Sequence, residues 1–383
     1  MPKTMTVDDA EAMLGSIANG AGDFVRIPTH GKHLHAGGEA ATVQAHITWA
    51  RDRDFTKLAT WIVDADDPDG QIRSLSRQFY GLSAILLSDE IRDRSGRDIT
   101  ATVREAGLDR LRTLQSERPR AASRGPQYEI ICADHMGVSQ PRLLYEMDTE
   151  GQGRLKGIAS FETVARQIIA TVLPRQTGAE LDRGFTAALG STLYELFRNT
   201  EEHARLDDGR RRLRRSLRCV QARLHGVTPT AIAAIVAKSP PLARYVESLR
   251  PARQQAAQIQ LIEISVIDSG PGLAAAFTGR SLVDLPHSEE LKAVTACFGK
   301  HATRKSSATA GLGLPNVIDT LRDRGGFLRI RTGKQALYAD LSREPKRGYG
   351  EMPDLLPWFG PDSRPALAKG TLMTFLIPVI RHP

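Results

Sequence analysis

The stretch "IQLIEISVIDSGPG" constrains the fold of this chain more than any other. Residues Ile259 to Ile267 alternate about an apolar face, the pattern of a half-buried strand, and the strand runs into Asp268, Gly270 and Gly272. A carboxylate is thus delivered at a strand end. The glycines that follow carry no β-carbon, so the backbone can turn sharply and a ligand can come close. Alone, the D-x-G-x-G pattern is equally a tight strand-to-helix turn, and its flanks have to decide.

Upstream, "STLYELFRNTEEHA" spaces Glu195, Asn199 and His203 four apart, which places them on one helix face beside Leu193, Leu196, Phe197 and Ala204. An amphipathic helix makes such a stripe merely to meet water. Downstream comes "ACFGKHATRKSSATAGLGLPNVIDTLRDRGG". Its first half has the small, polar, basic composition of a mobile loop. Its second half, Gly311-Leu312-Gly313-Leu314, opens a helix ending at Gly325-Gly326. Free N–H groups at a glycine-rich helix start form an anion site, with the helix dipole behind them. Lys300, Arg304 and Lys305 can add charge-assisted bonds to phosphate oxygens. No GxxxxGK[ST] loop occurs, so the P-loop class is not supported. "GGFLRIRTGKQALYADLS" then reads as a hairpin about a Thr-Gly-Lys turn, and "KGTLMTFLIPVI" as a closing strand.

Composition sets the outer limits. The 383 residues suffice for two domains or one large one, and 41% hydrophobic content supplies ordinary cores. Lys plus Arg exceed Asp plus Glu by 52 to 44, a net charge of +8 that favours anionic partners only weakly. Cys132, Cys219 and Cys297 form no CxxC pair, so neither a disulfide framework nor a zinc knuckle is expected, and a cytoplasmic location fits. No secretion signal and no run of about 18 apolar residues is present, so no membrane partner is expected.

Residues 1–22 read as a helical or flexible segment, 23–150 as a small α/β domain and 151–383 as a separate C-terminal domain. Within the second, "FVRIPTH" resembles a strand, and "GGEAATVQAHITWARDRDF" and "LSRQFYGLSAILLSDEIRD" have helical spacing. The polar, proline-broken "TLQSERPRAASRGPQ" reads as a linker or exposed loop, and "YEIICADHMG" as a buried strand. His30, His33 and His35 lack regular zinc spacing, and an exposed loop is the default for them.

The order of pieces from about Ser160 to Pro383 resembles the GHKL superfamily of ATP-binding domains, named for gyrase, the heat-shock chaperone, histidine kinases and the mismatch-repair ATPase. The resemblance rests on the E-x-x-x-N helix, the D-x-G-x-G turn, an F-G-K lid start, the G-L-G-L helix opening, a G-G-x-L-x-I-x-T-G strand and a G-T-x-x-x-F-x-I-P ending. It implies an α/β fold: a C-terminal two-layer α/β sandwich, with a Bergerat-type mixed sheet covered by helices, beside the smaller N-terminal α/β domain. It also implies ATP and Mg2+ as cofactors. Asn199 would be the magnesium ligand and Glu195 the base that deprotonates the attacking water, roles that an amide oxygen and a carboxylate can fill. Asp268 would accept a hydrogen bond from the adenine amino group, with Gly270 and Gly272 making room. Gly311, Leu312, Gly313 and Leu314 would cradle phosphates, Thr371 would touch adenine through water, and His203 would stand behind the ligands.

This sequence departs from the pattern at two inserts, about 205–257 and 342–369. The first contains "RLDDGRRRLRRSLRCVQARLHG", with arginines all around a helix. It reads either as a solvated helix with acidic partners inside the chain, or as a nucleic-acid contact through Arg210–Arg218. The second reads as an irregular loop with an exposed "LLPWFG" patch, a contact for a protein partner or a second copy. His135 lacks a dimerising helical pair, which argues against an ordinary sensor histidine kinase. The leading expectation is a soluble Mg-ATPase whose nucleotide state switches lid closure and association. The alternatives are a kinase passing the γ-phosphate to a partner protein, and an ATP-sensing scaffold that does not hydrolyse.

Overall fold

The computed structural model describes residues 4–20, 24–31, 33–63, 67–115, 127–149, 153–173, 183–227, 239–249, 259–299, 313–343 and 351–379. It shows a mixed α/β protein. The N-terminal part begins with β1 (Thr4–Met5) and α1 (Val7–Ala18). Thr6 opens α1 with a capping box: its Oγ1 accepts from the Asp9 N–H at 3.1 Å, and its own N–H donates to Asp9 Oδ2 at 3.0 Å. There follow β2 (Phe24–Ile27), β3 (His33–Leu34), α2 (Gly38–Arg51), β4 (Lys57–Thr60), α3 (Pro68–Ser76), α4 (Phe79–Leu87), β5 (Glu90–Arg92) and α5 (Thr100–Gln115). β2, β4 and β5 pair in parallel in that order, and β3 pairs with β1 rather than lying in a loop.

The rest of the described chain runs β6 (Gln127–Cys132), the hairpin β7 (Tyr145–Met147) and β8 (Gly153–Leu155), α6 (Ile158–Val172), α7 (Arg183–His203), β9 (Arg218–Val227), α8 (Pro240–Ser248) and β10 (Ile259–Asp268). It closes with α9 (Leu273–Thr278), α10 (His287–Ala296), α11 (Gly313–Asp323), β11 (Phe327–Gly333), β12 (Gln335–Asp340), β13 (Leu356–Pro357) and β14 (Ala368–Val379). A seven-stranded sheet orders these strands β13-β12-β11-β14-β10-β9-β6.

Several expectations are corrected here. Every pairing in the large sheet is antiparallel, where a mixed sheet was expected. The sheet takes its edge strand from Gln127–Cys132, upstream of the expected start at 151, because this fully buried strand pairs with β9. The region 205–257 is not simply an arginine helix on the outside. Residues 204–217 form turns with a bridge between Leu206 and Arg212, and β9 then runs between β10 and β6. In the second insert, Trp358 is only 6% exposed, packed edge-on against Phe327 and Tyr338 at ring separations of 6.1 and 6.0 Å. Leu356 and Phe359 remain the exposed part of that stretch.

The sheet is covered on both faces, not one. Ile262, Ile264, Val266, Phe375 and Ile330 enter a core with α6, α7 and α11. On the other face Ile267, Leu372, Cys219 and Ile131 join the core of the N-terminal part, where α2 packs across β14 and β10. Strand β10 is therefore buried on both sides. Glu263, the kind of residue that points to water in a half-buried strand, is 4% exposed. It accepts from the Gly37 N–H at 2.9 Å and pairs with His225 at 2.6 Å. A carboxylate so enclosed persists only because its oxygens are engaged. Among the described residues, no helix is long and apolar enough to cross a membrane.

Candidate functional site

Helix α7 supplies the column. Its apolar side, including Leu189, Leu193, Leu196 and Phe197, is buried, with the Phe197 ring 6.1 Å from Phe161. The spacing then turns Glu195, Asn199 and His203 outward: Glu195 and Asn199 are half-buried and His203 is exposed. Glu195 Oε2 accepts from Arg198 Nη2 at 2.6 Å. Among the described residues no side-chain hydrogen bond is made by the Asn199 amide. The His203 ring, covered on one side, is pushed below its ordinary pKa by partial desolvation and by the nearby Arg210 charge.

The D-x-G-x-G turn packs onto the end of this helix. A β-carbon on Gly270 would lie 2.9 Å from Asp268 Oδ1, 3.1 Å from Ala204 Cα and 3.2 Å from the His203 carbonyl oxygen, so a larger residue would crowd both the Asp268 carboxylate and the end of the helix. Gly272 has φ +90°, a region that L side chains rarely adopt. Asp268 ends β10 in register with Thr371 of β14 and Arg218 of β9. Its Oδ1 accepts from the Gly270 N–H at 2.7 Å. Burial pushes the Asp268 carboxyl up to about 6, against the pull of the Gly270 and Thr371 N–H groups and the Arg51 and Arg218 charges.

Helix α11 starts at Gly313 and packs against α7, with Leu314 buried in the shared core. The D-x-G-x-G turn thus meets the end of the E-x-x-x-N helix and lies beside Thr371, while α11 packs on the same helix. Lys300, Arg304, Lys305, Gly311 and Leu312 lie outside the described residues.

Two arginines complete the site, and sequence reasoning missed both roles. Arg218, with 0% of its side chain exposed, clasps Asp134 through Nε at 3.0 Å and Nη2 at 2.8 Å. Its Nη1 donates to Tyr145 Oη at 2.6 Å and to Glu201, in the last turn of α7. Burial opposes ionisation of Asp134, but the bonds and charge of Arg218 outweigh it and hold that carboxyl at about 2. The arrangement fixes the end of α7 against β9. Arg51, from the end of α2, donates through Nη1 to the carbonyls of Ser269 at 2.8 Å and Gly270 at 2.6 Å. The N-terminal part therefore holds the backbone of the D-x-G-x-G turn directly. In return Arg215 donates to the carbonyls of Ala50 at 3.0 Å and Arg53 at 3.1 Å, and pairs with Asp89. No local pattern announces these contacts, because their partners are far apart in the chain.

The run Arg210–Arg218 is accordingly no continuous basic face: Arg215 and Arg218 are buried, and Arg211 and Arg214 face Asp207 and Asp89 at 3.3 Å. His135 is also engaged, with Nε2 2.8 Å from the Leu86 carbonyl and Nδ1 3.3 Å from the Ser216 N–H. Among the described residues no group of His, Cys, Asp and Glu could hold a metal by itself, and His30 instead meets Ser74 at 3.0 Å. An amide oxygen such as that of Asn199 is a donor of the hard type that magnesium takes.

No family model, curated protein or solved structure matches the chain.

Proposed function

We propose that this chain is a Mg-ATP-binding protein of the GHKL type that hydrolyses ATP. The contact of Gly270 with the His203–Ala204 end of α7 carries this reading, because it joins the Asp268 turn to the Glu195, Asn199 and His203 column. Asp268 accepts from the adenine amino group, and Gly272 and Thr371 border the base. Asn199 ligates the magnesium ion that bridges the phosphates. Glu195 accepts the proton of the attacking water. The start of α11, with Gly313 and Leu314, takes the phosphate end together with Gly311, Leu312 and the lid cations Lys300, Arg304 and Lys305. Lid closure over the nucleotide would be sensed by the N-terminal part through Arg51, and from there by a protein partner or second copy.

The Glu195–Arg198 pair at 2.6 Å favours one second reading, an ATP sensor with little turnover, because a base engaged by a guanidinium must be released before it takes a proton. Incubating the full chain with γ-labelled Mg-ATP separates the readings. Free labelled phosphate is expected; label on protein would point to a kinase, and bound but intact ATP to the sensor.

Arg51 offers a further check. Arg51→Met is expected to weaken ATP binding by about tenfold, about the value of one charge-assisted bond to the turn that carries Asp268. Affinity for GTP, which lacks the 6-amino group, should fall much less, so the ATP-to-GTP ratio should narrow. A variant that lost both nucleotides equally would make Arg51 merely structural. Melting temperature measured alongside monitors the fold.

A further inference from the structure

Parallel sheets are normally covered on both faces, because the crossovers that join their strands lay helices over them. The β2-β4-β5 sheet departs from this. One face sends Val25, Leu58 and Ile91 into the core with α2 and α4. The opposite face carries Phe24 at 51% exposure and, just past the end of β4, Trp61 at 43%. The Arg26 guanidinium lies 5.6 Å from the Phe24 ring centroid and 5.0 Å from that of Trp61, and the Arg94 guanidinium lies 5.7 Å from Trp61. Rings and guanidinium groups therefore form one surface stack.

More positive charge borders the stack. Lys57 is the register partner of Phe24 and Arg92 that of Ala59, both exposed on the same side. Among the described residues two acids lie beside these cations: Glu90 pairs with Arg92, and Asp98 bridges to Arg92. Phe55, as exposed as Phe24, extends the apolar part beyond the N-terminal end of β4.

Exposed aromatic rings interleaved with cations suit a ligand that interleaves flat rings with anions. Bases stack on aromatic side chains, and phosphates meet guanidinium and ammonium groups. A duplex hides its base faces from such a surface, and an acidic peptide offers anions without rings to stack. We propose that the open face of the β2-β4-β5 sheet binds single-stranded nucleic acid, with bases on Phe24 and Trp61 and phosphates on Arg26, Lys57 and Arg94. Its residues are not those of the nucleotide site, and they differ from the Arg210–Arg218 run, although Arg214 reaches the Asp54 carbonyl beside Phe55.

The test uses the full chain and a fluorescein-labelled, mixed-sequence single-stranded oligonucleotide, as RNA and as DNA, followed by anisotropy over a range of salt concentrations. The parent is expected to bind, with log affinity falling linearly in log salt. Phe24→Ala with Trp61→Ala should lower affinity at least about tenfold, as expected for lost stacking. Arg26→Gln with Arg94→Gln should flatten the salt dependence. All four residues are exposed, and unchanged melting temperatures would show that the variants fold. The proposal is overturned if the parent fails to bind at low salt, if folded variants bind like the parent, or if a duplex of equal length binds as tightly. It is equally overturned if polyglutamate or anionic vesicles bind and the oligonucleotide does not.

Discussion

Glu195→Ala is expected to bind Mg-ATP as tightly as the parent while releasing phosphate about 10²–10⁴-fold more slowly, the usual loss when a general base is removed. Asn199→Ala, one helical turn away, is expected to fail differently: magnesium-dependent binding itself should weaken, because the substitution removes a metal ligand and not a proton acceptor. The two residues share a face of α7, so a structural effect on the helix would act on both alike. Neither change should unfold the chain. Glu195 and Asn199 are half-buried at most, and Arg198 keeps Glu202 within 3.9 Å when Glu195 is gone. A face that merely met water would make both variants silent, within about 0.5 kcal/mol in stability and unchanged in ATP assays. Isothermal titration with a non-hydrolysable ATP analogue, run beside phosphate release, reads both quantities. Undiminished turnover in Glu195→Ala would remove the hydrolytic mechanism.

The regular elements around the candidate site were legible because each is announced locally. The apolar alternation of Ile259–Ile267 marks β10, the Thr332–Gly333–Lys334 turn marks the β11-β12 hairpin, and the spacing of Leu193, Leu196 and Phe197 marks the buried side of α7. What covers those elements was not legible. The alternation of β10 reads as one wet face, yet Glu263 and Ser265 are buried, because α2 crosses that face from a position more than two hundred residues upstream. Polar residues on a strand report only that their needs are met, by water or by a buried partner.

The arginine-rich segment makes the same point with charge. Nothing in "RRRLRRSLRC" tells Arg218, sealed between Asp134 and Glu201, from Arg211 in solvent, since the acids that decide it come from other elements. Reading the segment as a helix failed for a related reason. Arginine tolerates helix and strand alike, whereas β9 begins only at Arg218 and its polar–apolar alternation only at Val220. Arg51 could not have been assigned from its neighbours at all. Its function comes from two carbonyls in a turn on the far side of the chain. Backbone acceptors at a buried turn must be satisfied, and sequence does not say by whom.

Asp268→Asn is expected to cost on the order of 10²-fold in ATP affinity, since it loses a hydrogen bond to a charged acceptor and can turn an amide donor toward the adenine amino donor. The fold should survive, because an asparagine Oδ1 can still accept the Gly270 N–H that Asp268 receives at 2.7 Å. A pH dependence accompanies this. Burial raises the carboxyl from its ordinary 3.8 to about 6, so in the folded chain the ionised acceptor prevails above that value and the protonated form below it. Affinity for the adenine ring should therefore be complete near neutral pH and decline as pH falls through about 6, reaching about a tenfold loss by about pH 5. Adenosine is the suitable probe, because it has no phosphate whose own titration would overlap that window. The same raised pKa means that ionising Asp268 opposes folding between 3.8 and about 6, so the loss of affinity on acidification cannot come from this group destabilising the fold. Titrating adenosine into the parent and Asp268→Asn across this range separates the outcomes. A pH-independent affinity, or an Asp268→Asn chain that binds like the parent, would remove Asp268 from the adenine site.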